Sequence, residues 1–236
     1  MVQEHIVSSF DRDLEGIQAL IMRMGGLVEE SIVKSATALE TRDDEAARAV
    51  RAGDRLIDRL EEQVNEEAAR ILALRQPTAS DLRTVLSVFR VSANLERIGD
   101  YSKNIAKRTS VLIQMQPIDG GASALRRMAG SVELMLKDAL DSYIQRDAGM
   151  ATEVRDRDEE VDQMYSALFR EYLTHMLEDP RNITACMHLH FIAKNIERMG
   201  DHVTSIAEQV IYLVTGEMPD EDRPKGDRTP YEQGVR

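Results

Sequence analysis

Four pairs of acidic residues, each pair spaced four positions apart, carry the strongest chemical signal in this sequence. They are Asp54 with Asp58, Glu96 with Asp100, Asp158 with Asp162, and Glu197 with Asp201. Residues four apart lie on the same face of an α-helix, so each pair holds two mutually repelling carboxylates side by side. Because hard cations such as Mg²⁺, Ca²⁺, Mn²⁺ and iron prefer oxygen ligands, the pattern predicts metal binding.

The alternative interpretation of these pairs is a solvated charged face with local ion pairs. Lys103 follows Asp100 by three positions, and Lys194 precedes Glu197 by three. Such ion pairs are ordinary on exposed helices. The fourfold repetition makes metal binding as strong an interpretation as the solvated face, and both stay open at this point. We expect the acidic rows of neighbouring helices to meet on an outer surface, which would give two metal sites per chain.

The acidic pairs recur because the whole sequence is duplicated. The segment ANLERIGDYSKNIAKR, from Ala93, matches KNIERMGDHVTSIAEQ, from Lys194, at an offset of 101 residues. Earlier identities, such as Asp54 with Asp158, are offset by 104 residues. The offset changes at the turns, where short deletions cost least. The chain is therefore two copies of a unit of about a hundred residues.

Apolar residues recur with a helical period throughout both copies. A spacing of seven joins Val91, Ile98, Ile105 and Leu112 in one predicted helix, and Ile192, Met199, Ile206 and Leu213 in its counterpart. This spacing predicts long helices that pack at shallow angles. We predict an all-α fold of two tandem antiparallel three-helix bundles, with repeats at 1–117 and 122–215 and a disordered tail at 216–236.

The composition argues against several classes of function. The chain has 30 Lys and Arg against 42 Asp and Glu, a net charge of −12 that disfavours nucleic acid and anionic membranes as partners. One cysteine, Cys186, excludes an intramolecular disulfide and a cysteine-rich metal site. The sequence shows no signal peptide and no apolar run of membrane-spanning length, so we expect a cytoplasmic protein.

Several motifs together resemble the PhoU family, which comprises bacterial regulators of phosphate uptake and phosphate signalling. They are LERIGD, IERMGD, RQPTASDLR at 75–83, and MGGLVEES in the first helix. The resemblance runs from His5 to about Val214 and includes the duplication. It implies a protein without catalytic activity, often a homodimer, with metal clusters on the signature helices. The expected ion is divalent or trivalent: Mg, Mn, Fe or Zn.

The same resemblance implies a regulatory function. Family members act as adaptors between the phosphate ABC transporter, including its ATPase, and a phosphate-sensing histidine kinase. They hold the kinase and its response regulator in the off state when phosphate is plentiful, and they restrain uptake. We therefore expect a negative regulator of the phosphate-starvation response. The segment Arg75, Gln76 and Pro77, together with Arg83, is the candidate partner contact, unless it is simply a turn shaped by Pro77.

Two other classes of protein stay open on the sequence alone. An all-α, metal-dependent nucleotide pyrophosphohydrolase also uses carboxylates on helices together with Mg²⁺. Such an enzyme needs those carboxylates to converge on one pocket, whereas the pairs here are expected to face outward and to repeat symmetrically. The other class is a purely structural helical protein, in which the acidic rows only interact with water.

Overall fold

Six long helices joined by short connections make up the described part of the chain. The computed structural model describes residues 2–75, 77 and 79–219. The helices are α1 (Val2–Thr41), α2 (Asp44–Arg75), α3 (Ala79–Leu112), α4 (Gly121–Gln145), α5 (Ala148–Glu178) and α6 (Ile183–Thr215). A 3-10 turn at Pro180–Asn182 precedes α6. The described ranges contain no strand, and the all-α prediction is confirmed.

Two predicted features fall partly beyond the described ranges. Gln76 lies outside them, and so do residues 220–236, which form most of the predicted tail. Helix α6 ends at Thr215, and Gly216 caps it with a φ of 83°, a left-handed conformation that favours glycine. Among the helices that are described, none has the length and apolar character needed to span a membrane.

Four helices, two from each repeat, form the centre of the molecule. Helix α1 packs against α4, and α3 packs against α6. Within the repeats, α1 also contacts α3, and α4 contacts α6. Helix α2 lies against α1 and α3, and α5 lies against α4 and α6. The helices that carry the two signature motifs therefore meet at the contact between the repeats.

One continuous hydrophobic core runs through both repeats. The residues of the predicted seven-residue seams are buried, from Val91 to Leu112 in α3 and from Ile192 to Leu213 in α6. Burial of each large aliphatic side chain contributes about 1.5–3 kcal/mol to folding. Because the two repeats share this core, the packing of one repeat supports the helices of the other.

The first turn of each repeat uses the same local chemistry. Arg42 and Arg146 end α1 and α4 with φ values of 55° and 53°. The aspartate that follows each arginine caps the next helix. Asp43 accepts a hydrogen bond from the backbone N–H of Ala46, and Asp147 accepts two from the start of α5. These caps satisfy helix N–H groups that have no partner within the helix.

Arg42 also holds the end of α3 in place. Its Nη2 atom donates hydrogen bonds to the carbonyl oxygens of Leu112, Ile113 and Met115, at 3.1, 2.8 and 2.7 Å. A cation at a helix C-terminus is favourable, and hydrogen bonds from charged groups are the stronger ones. We predict that Arg42→Ala lowers the free energy of unfolding by about 2 kcal/mol in urea denaturation.

Arg146→Ala is the matched control for Arg42→Ala, because both arginines have a left-handed backbone. The Arg146 side chain is exposed and makes no hydrogen bond with the described residues. Its replacement should change the free energy of unfolding by less than about 0.5 kcal/mol. Equal losses in the two variants would mean that the backbone conformation, and not the contact with α3, accounts for the effect.

Candidate functional site

The acidic pairs of the first repeat come together where α2 packs against α3. The Asp54 side chain is almost fully buried, whereas Asp58, Glu96 and Asp100 are half-buried. The ammonium group of Lys103 binds the carboxylate of Asp54 and lies 3.3 Å from Oδ1 of Asp100. A single lysine thus joins carboxylates from two helices.

The second repeat buries the equivalent carboxylates more deeply. Between α5 and α6, Asp158 is 5% exposed, and Asp162 and Glu197 are each 6% exposed. Asp201 is half-buried. Nζ of Lys194 donates a hydrogen bond to Oε1 of Glu197 at 2.7 Å. The other oxygen of Glu197, Oε2, is buried and has no hydrogen-bond partner in the described part of the chain.

The prediction that both acidic rows lie on an outer surface is wrong for the second repeat, because the packing of α5 against α6 buries three of its four carboxylates. In the first repeat only Asp54 is buried, and the other three carboxylates are half-buried. The glycine of each signature motif allows the close approach of the neighbouring helix. A Cβ atom on Gly200 would lie 2.8 Å from Oδ1 of Asp158. One on Gly99 would lie 3.0 Å from Cδ1 of Ile57. Both glycines are therefore part of the site, although the spacing of residues in the sequence points only to the acidic side chains beside them.

Burial changes the protonation equilibria of the carboxylates. It is the main cause that raises the pKa of Glu96 to about 7, and the nearby charge of Asp100 adds to the effect. Burial also raises the pKa of Glu197, although the hydrogen bond from Lys194 opposes the shift. Desolvation disfavours the charged form of a carboxylate, so a bound cation that neutralises these groups would stabilise the site.

The donor atoms fit a hard metal ion, although they do not surround one in this conformation. Within the described residues, no group of three Asp, Glu, His or Cys side chains has the arrangement of a metal site. The carboxylates instead contact Lys103 in the first repeat and Lys194 in the second. Each repeat nevertheless brings two acidic pairs from two helices together, and the orphan Oε2 of Glu197 is a buried acceptor that a cation would satisfy.

The two sites flank the contact between the repeats. Nδ1 of His202 lies 2.7 Å from Oδ1 of Asn94, and the His202 ring lies 5.7 Å from that of Tyr101, centre to centre. Tyr101 and His202 occupy equivalent positions in the two repeats, at the offset of 101 residues. Equivalent residues of the two repeats therefore meet at the contact between α3 and α6, one residue away from Asp100 and Asp201.

The predicted partner segment lies at the connection between α2 and α3. Arg75 is the last residue of α2, and Pro77 follows in a non-helical conformation. Arg83 is half-buried, and its Nη1 atom lies 3.4 Å from the position that a Cβ atom on Gly216 would take. Arg83 therefore packs against the end of α6, whereas Gln76 is not described.

Comparison with known proteins shows what family this duplicated fold belongs to. The PhoU domain model matches residues 21–109 and 125–210. A phosphate-specific transport system accessory protein PhoU homolog from Rhizobium meliloti (strain 1021) is 45% identical over 229 residues, which cover 97% of each chain. The homolog of the same name from Caulobacter vibrioides (strain NA1000 / CB15N) is 45% identical over 224 residues, covering 95% of this chain and 97% of that protein.

Solved structures show the same architecture. The crystal structure of PhoU from Pseudomonas aeruginosa has a TM-score of 0.85 and 38% identity, and the match covers 88% of this chain and 100% of that one. The phosphate transport system regulatory protein PhoU from Streptococcus pneumoniae has a TM-score of 0.83 and 31% identity, over 89% and 99% of the two chains. Since the matches extend over both repeats, this chain belongs to the PhoU family.

Proposed function

We propose that this chain is a negative regulator of the phosphate-starvation response and a modulator of phosphate uptake. In this role it is an adaptor that contacts the ATPase of the phosphate ABC transporter and the phosphate-sensing histidine kinase, with its response regulator. The observation that carries the proposal is 45% identity, over nearly the whole chain, to relatives named as accessory proteins of phosphate-specific transport. A cytoplasmic location and a homodimer are parts of the proposal, and light scattering of the purified protein tests the homodimer.

The geometry of the acidic sites favours binding over catalysis. The carboxylates are divided between two equivalent positions, one between α2 and α3 and the other between α5 and α6. A nucleotide pyrophosphohydrolase would need them to converge on one substrate pocket. The long helices, by contrast, provide extended surfaces of the kind that bind partner proteins.

We further propose that each repeat binds a divalent or trivalent ion, namely Mg, Mn, Fe or Zn. The residues that would hold it are Asp54, Asp58, Glu96 and Asp100 in the first repeat, and Asp158, Asp162, Glu197 and Asp201 in the second. A bound ion would neutralise buried carboxylates and link the second helix of each repeat to the third. The orientation of these helices, and with it the surface offered to partners, would then depend on the metal.

The adaptor proposal predicts direct binding, and the connection between α2 and α3 is the surface to test. Full-length protein is titrated with the purified transporter ATPase and, separately, with the cytoplasmic part of the kinase. We expect Arg75→Glu with Arg83→Glu to weaken binding to at least one partner by about tenfold or more, because reversing two charges in an interface removes its electrostatic complementarity.

The control for this charge reversal is Arg59→Glu with Arg127→Glu, which reverses two exposed arginines on the bodies of α2 and α4. Circular dichroism melts of both variants are needed, because Arg83 packs against Gly216 and its replacement will also affect stability. Unchanged affinity in a folded Arg75/Arg83 variant would discard the segment as an interface. Failure of the wild-type protein to bind either partner would contradict the adaptor role.

A further inference from the structure

A groove with basic walls overlaps the acidic site of the first repeat, because Asp54 and Asp58 line both. It is an open depression of about 630 Å³ along one face of α2, and Lys103 of α3 lines its edge. Its polar lining consists of Arg48, Arg51, Arg55, Lys103, Asp54 and Asp58. Four cations and two carboxylates thus line one groove, so that it carries a local excess of positive charge in a chain whose net charge is −12. The groove therefore has the charge that favours binding of an anion.

Only part of this positive charge is neutralised by the chain itself. Arg48 binds Asp44 at 2.5 Å, and Lys103 binds a carboxylate that is buried at the base of the groove. Arg51 and Arg55 are exposed, and neither forms a salt bridge with a described carboxylate, although the charge of Arg51 helps to lower the pKa of Asp44. The groove thus presents two exposed guanidinium groups that lie one helical turn apart on the same face of α2.

The second repeat does not reproduce the groove, although it keeps the acidic pairs. The positions equivalent to Arg48, Arg55 and Lys103 hold Thr152, Glu159 and Thr204. The equivalent of Arg51 is Arg155, which is mostly buried and lies 3.5 Å from Glu208. The second repeat thus has the same fold and the same acidic pairs without the basic residues. The positive charge of the groove is therefore a feature of the first repeat alone, and neither the fold nor the acidic pairs require it.

We propose that this groove binds an oxyanion of the phosphate class through Arg51 and Arg55. A guanidinium group donates two parallel hydrogen bonds that match the oxygen spacing of a phosphate, and two such groups balance the charge of a phosphate dianion. The ligand is either free inorganic phosphate or the terminal phosphoryl group of a nucleotide, since both present the same oxygens. The proposal rests on Arg51 and Arg55 and does not require the partners or the metal ions proposed above, although Asp54 and Asp58 line both the groove and the proposed metal site.

Isothermal titration of the purified full-length protein tests this site. Inorganic phosphate and ATP are titrated separately, each in buffer with and without Mg²⁺. We expect the wild-type protein to bind at least one of them, and Arg51→Gln with Arg55→Gln to weaken that binding by at least about tenfold, because charge-assisted hydrogen bonds are lost. The control is Arg70→Gln with Arg90→Gln, which removes two exposed charges from α2 and α3 outside the groove.

A loss confined to the Arg51/Arg55 variant supports the site, and the tighter of the two ligands identifies the source of the oxyanion. Equal affinity in all three proteins would place the oxyanion elsewhere and overturn the proposal. The absence of binding by either ligand, with and without Mg²⁺, would overturn it as well. Because this test uses purified protein, its failure is separate from a failure of the regulatory function, which is measured through partner binding and in cells.

Discussion

Replacing Gly200 by alanine will destabilise the protein, whereas the same replacement at Gly130 will stabilise it. Alanine is favoured over glycine in a helix by up to about 1 kcal/mol, and a Cβ atom on Gly130 would have no neighbour within 4 Å. On Gly200 the added atom would lie 2.8 Å from Oδ1 of Asp158 and 3.5 Å from Cγ1 of Val161. Overpacking of this kind costs about 1–3 kcal/mol, which exceeds the gain in helix propensity.

Urea denaturation of the two variants measures the difference directly. We expect a higher free energy of unfolding for Gly130→Ala than for the wild type, and a lower one for Gly200→Ala, with a gap of about 2 kcal/mol between the variants. Gly200→Ala should also bind metal more weakly, because Asp158 must move away from α6. Equal stabilisation of both variants would show that the close approach of α6 to α5 is not needed to position the carboxylates.

Metal ions will stabilise the chelator-treated protein by several kcal/mol. A ligand at 100 times its Kd stabilises the folded state by about 2.7 kcal/mol per site, which for a protein of this size corresponds to a rise in Tm of about 5–10 °C. The shift is measured by calorimetry with Mg²⁺, Mn²⁺, Fe²⁺ and Zn²⁺ in turn. The variant that removes charge from both sites is Glu96→Gln, Asp100→Asn, Glu197→Gln and Asp201→Asn, and it should lose the shift.

The metal-free form of that variant distinguishes a lost metal site from general damage. Burial raises the pKa of Glu96 and Glu197, so ionisation of both groups opposes folding at pH values above their ordinary range. Without metal, the variant should therefore be at least as stable as the wild type at pH 8. A control with the same change in charge replaces exposed carboxylates, namely Glu62, Glu66, Glu153 and Glu160, by glutamine. An equal Tm rise in all three proteins would contradict metal binding by the acidic pairs.

The helices and their buried faces could be predicted because these features repeat along the sequence. The spacing of seven from Val91 to Leu112 identifies one buried seam, and its copy in α6 identifies a second, without any knowledge of which helices meet. The duplication likewise predicts that α4 to α6 repeat the arrangement of α1 to α3. These are local signals, and the structure confirms the all-α fold they predict.

The burial of the carboxylates could not be predicted in the same way, because it depends on the distance between two helices. Asp158 and Glu197 lie beside apolar seams, and periodicity alone assigns such positions to the outside. Gly200 brings α6 close enough to cover them, but a glycine inside a helix does not indicate which partner approaches it. The contact of Lys103 with Asp54 is a second example. It joins α3 to α2, but the spacing of residues along either helix does not predict it.

The contact between the repeats could not be predicted from the sequence pattern either. Two tandem bundles could be joined through many pairs of faces. The structure packs α1 on α4 and α3 on α6, and it places His202 against Asn94 and Tyr101. Polar side chains at such a contact look like ordinary surface residues in the sequence, since their partners come from the other repeat.

Transcription from a phosphate-starvation promoter, in cells that lack this gene and grow with ample phosphate, tests the central proposal most directly. If the chain holds the starvation response off, expression will be high in these cells and will return to a low level with the wild-type gene. The variant at Glu96, Asp100, Glu197 and Asp201 then shows whether the acidic sites are needed for that repression. Expression that stays low without the gene would contradict the role of a negative regulator.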